Sequence, residues 1–297
     1  NSKSIFYKIK KSTIHQTGNS SVQAEDGGFV VVGEIDNKVN NDDIFIQKIN
    51  SKGKIDWMKT FGGKGDDRAY SVDKTIDKGY VITGFTEALI EKNGDIWVLK
   101  IDSDGKMEWN RTYGGFNSEI GFDIFQTKDD GYIIFGNTFS NENGASDIWL
   151  IKTDADGFPI WNKTFGNPSG GEGIYSNLGR GNVKLIFDEC WSVTTVNKFD
   201  AVLACGTGIE GCEELTGSIK KECESDPRQN WRSYLVEIDT DGILAWEAAS
   251  SFSFPEEEES DDLPSTASEW VFITKNGDLA SVIDLDFGFG LEILSLN

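Results

Sequence analysis

Hydrophobic and polar residues alternate along the chain in short segments that end at Gly, Asn or Asp. Between residues 122 and 165 the alternation predicts four strands, at 122–127, 132–138, 148–153 and 160–165. The turns between them, such as Asp154-Ala155-Asp156-Gly157, suit hairpins because Asp bonds its own backbone and Gly accepts a positive φ. Strands joined in this way are antiparallel, so this stretch predicts a four-stranded antiparallel sheet.

The same pattern recurs at a spacing of 52 residues. Equivalent positions are Asp43, Asp95 and Asp147 in the third strand and Trp57, Trp109 and Trp161 in the fourth. A weaker copy runs from 234 to 246, and a degenerate copy runs from 270 to 296. Four-stranded units repeated in this way are typical of propeller blades, whose closure protects the sheet edges. We therefore predict an all-β fold, a five-bladed β-propeller of four-stranded antiparallel blades.

The two ends of the chain predict how the propeller closes. Residues 5–10 match the Trp-bearing fourth strand, whereas residues 290–296 match a third strand. The N-terminal strand is therefore expected to join the C-terminal blade. The predicted single domain spans 1–297, with blades at 19–62, 68–114, 120–166, 187–250 and 268–297 plus 4–11. The alternative is a piece of a six- or seven-bladed propeller whose other repeats are too worn to recognise.

Three motifs carry a resemblance to known proteins. They are Asp95-Ile-Trp-Val-Leu-Lys-Ile-Asp-Ser-Asp-Gly105, Trp109-Asn-Arg-Thr-Tyr-Gly-Gly115 and Asp130-Gly-Tyr-Ile-Ile-Phe-Gly-Asn-Thr138. Over residues 19–166 the pattern resembles the secreted β-propeller repeats of many microbial surface and lipoprotein-like proteins. The second half, with Cys205-Gly-Thr-Gly-Ile-Glu-Gly-Cys212, resembles uncharacterised propeller proteins of algae and other protists. Extracellular algal fibres, including flagellar mastigonemes, contain similar propeller subunits, so the resemblance implies a role in assembly.

Composition argues against two classes of partner. The formal net charge is -22 and the sequence pI is about 4.4, so the chain repels phosphate backbones and nucleic acid is not expected. No apolar run reaches the roughly 18 residues of a membrane-spanning helix, so no membrane span is expected. Hydrophobic residues make up 38% of the chain, which is enough for a packed core.

Cysteines and glycosylation sequons predict the secretory route. The four cysteines are Cys190, Cys205, Cys212 and Cys223, and their spacing lacks the C-x2-C pairs of zinc knuckles. Three N-x-S/T sequons begin at Asn19, Asn110 and Asn162. We predict disulfides, N-linked glycans and an extracellular or cell-surface location.

The cysteines all fall in an irregular fourth blade. Cys190 and Cys205 lie on predicted neighbouring strands, whereas Cys212 and Cys223 bracket an inserted loop at 207–230. This favours the pairs 190–205 and 212–223, while the two other connectivities stay open. The stapled loop is either a binding feature or a long insertion that the disulfide stabilises.

Paired acidic residues in the predicted turns are candidates for weak cation binding. They are Asp102 with Asp104, Asp154 with Asp156, and Asp239 with Asp241. Each pair offers two oxygens, whereas calcium usually takes six to eight, and the complete EF-hand loop is absent from the sequence. Ordinary hairpin turns explain the pairs equally well. We expect no cofactor, with calcium as the one ion considered.

The sequence does not point to catalytic residues. His15 is the single histidine and no G-x-S-x-G elbow accompanies it, so neither a Ser-His-Asp nor a Cys-His site is predicted. With 50 acidic residues some carboxylate pair is inevitable, and abundance is not evidence for glycoside hydrolysis. We expect no enzyme activity.

These observations favour a non-enzymatic extracellular structural glycoprotein. It would be a protomer of a surface filament or appendage that associates with itself or with other extracellular proteins. The first alternative is a lectin-like carbohydrate-binding propeller, in which Trp191 or Trp231 would stack on sugars. A less favoured alternative is a glycoside hydrolase with unassigned carboxylates. The acidic segment 255–262 is either a solvated loop or a docking strip for a basic partner.

Overall fold

The computed structural model describes residues 14–37, 41–87, 93–140, 146–165, 186–196, 200–209, 217, 220–221, 232–239, 241–249, 266–276, 278–285 and 288–294. The fold is all-β, as predicted, and the described strands form five antiparallel sheets, four with four strands and one with three. By compactness the chain divides into two units. One comprises 1–114, 124–133 and 153–158, and the other comprises the remaining residues.

In every sheet the strands pair in the order in which they occur along the chain. The first sheet contains β1 (Gln16–Gln23), β2 (Phe29–Asp36), β3 (Asp42–Ile49) and β4 (Ile55–Phe61). The second contains β5 (Asp67–Lys74), β6 (Tyr80–Glu87), β7 (Gly94–Ile101) and β8 (Met107–Tyr113). The third contains β9 (Glu119–Gln126), β10 (Tyr132–Thr138), β11 (Asp147–Thr153) and β12 (Pro159–Phe165). The fourth contains β13 (Ile186–Val196), β14 (Asp200–Ile209), β15 (Arg232–Ile238) and β16 (Leu244–Ala249). The fifth contains β17 (Thr266–Ile273), β18 (Leu279–Leu285) and β19 (Gly288–Leu294). Four of the sheets therefore have the up-and-down meander of a propeller blade.

A β-bulge interrupts the first strand of the second sheet. The pairing of β5 with β6 shifts between Ala69 and Ser71, which leaves Tyr70 as the extra residue. Strands β1, β13 and β17 carry the same bulge. Gly84 lies opposite Ala69, where an added Cβ would collide with the carbonyl oxygen of Arg68. The glycine that recurs in the second strand is therefore needed because the bulged strand approaches it closely.

Tryptophans of the fourth strand pack against a turn of the following sheet. Gly157 has a φ of 79°, and a Cβ added to it would lie 2.9 Å from the ring of Trp109. Tyr113, on the same strand as Trp109, donates a hydrogen bond to the Gly157 carbonyl oxygen at 2.7 Å. We call this arrangement a Trp–Gly contact, and it recurs between Trp57 and Gly105 and between Trp161 and Gly242. Glycine is required at the turn both by the positive φ and by the lack of space.

Apolar side chains of adjacent sheets form the core. In the first unit the alternate residues of the first and second sheets pack together, with Ile44, Ile46, Ile82, Leu99 and Ile101 completely buried. In the second unit, strands of the fourth and fifth sheets contribute Val202, Ala204, Leu235, Val271 and Leu279. Burial of these apolar side chains is the main stabilising contribution to the sheets.

Within the described part of the chain, no helix is long and apolar enough to cross a membrane.

Candidate functional site

The predicted cation turns use their first carboxylate to hold the turn itself. Asp102 Oδ1 accepts the backbone N–H groups of Asp104 and Lys106, at 2.9 and 2.8 Å. Asp154 and Asp239 accept the equivalent pairs of N–H groups, and the second carboxylates, Asp104, Asp156 and Asp241, are exposed. The uncharged Asn50 makes the same bonds in the first sheet, so the turn geometry does not need a cation. Among the described residues, no group of three or more His, Cys, Asp or Glu is arranged to hold a metal ion, and calcium binding stays a prediction.

A buried lysine engages one acidic residue of a neighbouring turn and one of strand β8. Lys100 is 3% exposed, and its Nζ lies 2.7 Å from Asp77 Oδ2 and also bonds Glu108. Partial burial raises the pKa of Asp77, but bonds from Lys100, Thr75 and Gly79 outweigh it and the net pKa is lowered. Lys48 pairs with Asp26 in the same way, at 2.7 Å, and its bond lowers the pKa of Asp26. Asp26, Asp77 and Glu108 thus have structural partners.

The predicted disulfide between Cys190 and Cys205 is confirmed. The two residues lie opposite each other in β13 and β14, and both are completely buried. A disulfide fits an oxidising compartment, as expected for a secreted protein. Cys212, Cys223, Trp231 and the acidic segment 255–262 lie outside the described residues, as does the side chain of Trp191. His15 is exposed next to β1.

Charged side chains meet at the opposite end of the first two sheets, where β3 and β5 begin. Asp42 and Asp43 open β3, while Asp66, Asp67 and Arg68 lead into β5. We call these five residues the acidic cluster. The Asp42 backbone N–H donates to Asp66 Oδ1 at 3.1 Å, which holds the two segments together.

Asp67 is the buried member of the acidic cluster, at 1% exposure. Its Oδ2 accepts the backbone N–H of Gly63 at 2.7 Å, and its carboxylate also bonds the side chain of Thr86. Burial raises the pKa of Asp67, and the negative charges of Asp43 and Asp66 raise it further. A carboxyl group in this environment retains its proton at a higher pH than an ordinary aspartate does.

Asp43 and Asp67 converge next to Gly62. A Cβ added to Gly62 would collide with Asp43 Oδ1 and would lie 2.8 Å from Asp67 Oδ2. Asn37 donates from Nδ2 to Asp43 Oδ1 at 2.9 Å and so fixes that carboxylate. Gly62 and Gly63 are both exposed and carry no side chain, so the surface next to the two carboxylates consists of backbone.

Arg68 lies between the two outer carboxylates of the acidic cluster. Its Nη2 is 3.1 Å from Asp66 Oδ2 and 3.5 Å from Asp42 Oδ2. The side chains of Arg68, Asp66 and Asp42 are 38%, 35% and 29% exposed, so they are accessible from solvent while remaining paired. This group offers fixed hydrogen-bond donors and acceptors to a polar ligand.

The third sheet provides an internal comparison for the acidic cluster. Glu119, which is equivalent to Asp67, accepts the backbone N–H of Gly115 and the hydroxyl of Thr138, both at 2.8 Å. A buried carboxylate that ties the entering loop to the sheet is therefore a feature of the repeat. Ser118 and Ile120 stand where the second sheet has Asp66 and Arg68. Asp66 and Arg68 are thus not required by the repeat fold, which makes them candidates for a function.

Sequence reasoning missed the acidic cluster because its members belong to different strands. Asp43 and Asp67 are 24 positions apart, and Asp43 reads as the repeat position that Asp95 and Asp147 also occupy. One signal was present, since Asp66-Asp67-Arg68 departs from Ser118-Glu119-Ile120 of the next repeat. A comparison of repeats for departures from their common pattern would have selected Asp66 and Arg68.

No protein-family model matches the chain, and no curated protein matches it. Among solved structures, it is similar to the endo-arabinase from Bacteroides thetaiotaomicron VPI-5482, with 8% identity, a TM-score of 0.49 and coverage of 95% of each chain. It is similar to MPT-4, a mannose phosphorylase from Leishmania mexicana, with 8% identity, a TM-score of 0.43 and coverage of 92% of this chain and 80% of that chain. It is also similar to the endo-1,5-alpha-L-arabinanase from Thermotoga petrophila RKU-1, with 12% identity, a TM-score of 0.38 and coverage of 93% and 80%.

These comparisons correct the functional prediction made from the sequence. We expected a non-enzymatic structural glycoprotein forming a filament or appendage, whereas these solved structures are carbohydrate-active enzymes. The expectation of no enzyme activity is corrected for the same reason. The number of carboxylates in the sequence does not identify a site, whereas the fold brings Asp43 and Asp67 together next to Gly62. The identities are low, so the chemistry of this chain has to be argued from its own residues.

Proposed function

We propose that the chain is a carbohydrate-active enzyme of the glycoside hydrolase class, with the acidic cluster as its site. The observation that carries the proposal is the crowding of Asp43, Asp66 and Asp67, in which burial and like charges raise the pKa of Asp67. Carboxylates whose environments push their pKa values apart are suited to divide the roles of acid and base. Most glycoside hydrolases use such a pair of carboxyl groups.

Each member of the acidic cluster has a role that follows from its surroundings. Asp67, with its raised pKa, is the proton donor to the leaving glycosidic oxygen. Asp43, held by the Asn37 amide, is the second carboxylate of the pair. Arg68 and Asp66 bind sugar hydroxyls, since one donates and the other accepts hydrogen bonds at the surface. The exposed glycines at 62 and 63 let a sugar ring approach the backbone closely.

We also propose that the sheets belong to a complete propeller. Five blades would close into one domain when residues 4–11 add a fourth strand next to the three described strands of the fifth sheet. The support is the match of these residues to the Trp-bearing fourth strand and the meander of the other four sheets. The secreted form would meet extracellular polysaccharide, and the Cys190–Cys205 disulfide fits that location.

The proposal is tested by assaying the purified full chain on polysaccharides and aryl glycosides. Arabinan, mannan and a panel of nitrophenyl glycosides are incubated with the protein, and released reducing ends or nitrophenol are measured. We expect turnover of at least one substrate, and a loss of about 100-fold or more in kcat for Asp67→Asn and for Asp43→Asn. Asp66→Asn is expected to raise KM more than it lowers kcat, because that residue binds the sugar.

Two control variants separate chemistry from folding. Asp104→Asn removes the same charge from an exposed turn and should leave kcat unchanged. Glu119→Gln alters the equivalent buried carboxylate of the third sheet, so it reports the structural cost of losing such a group without altering the acidic cluster. Turnover that survives in folded Asp43→Asn and Asp67→Asn proteins would remove the acidic cluster from consideration. Saturable sugar binding without turnover by the unaltered chain would instead favour a lectin-like module.

A further inference from the structure

Two exposed asparagines occupy equivalent positions in neighbouring repeats. Asn110 lies on β8 and Asn162 lies on β12, and both side chains face solvent. The indole N–H of Trp97 donates to Asn110 Oδ1 at 3.3 Å, and that of Trp149 donates to Asn162 Oδ1 at 3.2 Å. In each pair the indole engages the amide oxygen, whereas an N-linked glycan is carried by the amide nitrogen.

The amide nitrogen of Asn110 has a weak partner in the structure. Asn110 Nδ2 donates to the sulfur of Met107 at 3.3 Å, and a thioether is a poor acceptor. Replacing this bond by a glycan linkage therefore costs little. The indole bond persists in a glycosylated asparagine, because the oxygen is unchanged. Asn110 is thus held by its amide oxygen and can be modified at its nitrogen, and the oxygen of Asn162 is held in the same way.

Asn19, the third sequon asparagine, has the opposite arrangement. It is the extra residue of the bulge between Gly18 and Ser20, and its side chain is partly buried. Its Nδ2 donates both to Glu34 Oε2 and to the Ala69 carbonyl oxygen, each at 2.9 Å. Both hydrogens of this nitrogen are used in these two bonds, and a glycan would replace one of them, so at least one bond between β1 and its neighbours would be lost. The acceptor that loses its donor, either the Glu34 carboxylate or the Ala69 carbonyl oxygen, would be left without this bond.

We propose that Asn110 and Asn162 carry N-linked glycans in the folded protein and that Asn19 does not. In the transfer, the C1–O bond to a lipid-linked diphosphate donor breaks and a bond forms from C1 to the asparagine Nδ2. The amide nitrogen loses a proton, and the lipid diphosphate leaves with the electron pair. This inference is independent of the glycoside hydrolase proposal, since neither asparagine belongs to the acidic cluster.

The repeats also supply a competing explanation for the sequons. The experiment must distinguish this explanation from glycosylation. In the first sheet Phe45 and Met58 stand at the positions of Trp97 and Asn110, while Thr60 is equivalent to Thr112. The threonine of the sequon is therefore a feature of the repeat, and asparagine occurs where a tryptophan N–H needs an acceptor. On that explanation the sequons arise from packing and stay unmodified. If our proposal is correct, a glycan on the outermost strand also shields a sheet edge from pairing with another chain.

The experiment expresses the full chain through the secretory pathway of a eukaryotic host and maps occupancy by mass spectrometry. Peptide N-glycosidase F in ¹⁸O water marks each asparagine that carried a glycan. Thr112→Ala and Thr164→Ala remove one sequon each, and they keep the asparagine and its bond to tryptophan. Ser21→Ala removes the first sequon in the same way and keeps the bonds made by Asn19. All three substituted side chains are exposed, so folding should be preserved.

We expect label at Asn110 and Asn162 of the secreted protein and none at Asn19. Thr112→Ala and Thr164→Ala should each lose one glycan, whereas Ser21→Ala should leave the intact mass of the glycoform unchanged apart from the substitution. Label at Asn19 in secreted, folded protein would overturn the assignment of that residue. Unlabelled Asn110 and Asn162 would favour the packing explanation and overturn the proposal.

Discussion

The side-chain nitrogen of Lys100, a residue only 3% exposed, lies 2.7 Å from the carboxylate of Asp77, which is 56% exposed. Removing the lysine of this ion pair should therefore have a different effect on stability from removing its carboxylate partner. Loss of the lysine returns Asp77 and Glu108 to water, whereas loss of the carboxylates leaves a buried ammonium without a counter-charge.

This asymmetry predicts different costs for substitutions on the two sides of the pair. Lys100→Met should lower the free energy of unfolding by about 1–2 kcal/mol, because the exposed carboxylates regain their hydration. The double variant Asp77→Asn with Glu108→Gln should lower it by about 3 kcal/mol or more. Urea unfolding of both proteins measures the difference. Equal costs on the two sides would contradict the burial of Lys100.

The lowered pKa of Asp77 predicts acid sensitivity. An ionised carboxylate favoured in the folded state stabilises the protein above the pKa of the unfolded chain, which is about 3.9. This contribution is lost as the pH falls through the lower folded-state pKa. Below about pH 4 the stability gap between the unaltered chain and Lys100→Met should therefore narrow. Thermal unfolding midpoints at intervals from pH 6 to pH 3 measure this gap, and a constant gap would speak against the ion pair.

Asp67 should show the opposite sign of pH dependence. Its folded-state pKa is raised, so its contribution to stability is present below the unfolded-state value and is lost as the pH rises through the folded-state value. The neutral variant Asp67→Asn does not lose stability in this way as the pH rises. Relative to the unaltered chain, it should gain stability as the pH rises above the unfolded-state pKa of about 3.9, until the pH passes the folded-state pKa. Asp104→Asn, at an exposed turn, serves as the control and should give a flat difference.

The Trp–Gly contact predicts an unusually large penalty for a small substitution. Gly157→Ala places a Cβ 2.9 Å from the Trp109 ring at a φ of 79°, so it combines backbone strain with overpacking. The expected cost is about 2–4 kcal/mol, the sum of both effects. Gly217, with a φ of 69° and nothing within 4 Å of an added Cβ, is the matched control. Gly217→Ala should cost about 1–2 kcal/mol, from the backbone alone.

The buried disulfide should resist reduction until the chain unfolds. Both Cys190 and Cys205 are 0% exposed, so a reductant has no access to the sulfurs in the folded state. The chain between them spans 15 residues, and a loop of that length corresponds to about 3 kcal/mol of stabilisation. Thiol titration with and without urea tests the first expectation, and the Cys190→Ala, Cys205→Ala double variant tests the second. Rapid reduction of the native protein would contradict the burial of this pair.

The strands were predictable from the sequence because the same alternation of hydrophobic and polar residues recurs in each repeat. The predicted strand over 132–138 has the observed bounds, and the predicted strand over 148–153 begins one residue late and ends at the observed residue. Period-2 burial and Asp-Gly turns are local properties, so they can be read directly. The neighbouring strand positions of Cys190 and Cys205 followed from the same pattern, which is why their pairing was predicted correctly.

The side-chain partners were less predictable because they depend on the bulges and on contacts between sheets. Asn19 reads as an ordinary sequon, but the bulge at β1 turns its amide toward Ala69. The sequence carries no sign that Lys100 is 3% exposed and that it bonds Asp77 and Glu108. The acidic cluster required the ends of β3 and β5 to be adjacent. The Asn19 and acidic-cluster contacts join two repeats, whereas the Lys100 contacts lie within one repeat but depend on how its strands and turn are placed.

The three Trp–Gly contacts also differ in the length of chain that they enclose. The residues of the first two contacts are 48 positions apart, whereas Trp161 and Gly242 are 81 positions apart, although the contact is the same. The extra chain is therefore accommodated without altering the attachment between successive sheets. A fold assembled in this way can accept new loops as evolutionary additions, because the cost of a longer closed segment grows only with the logarithm of its length. The Trp–Gly contact between two sheets and the length of the chain between its residues can therefore change independently in evolution.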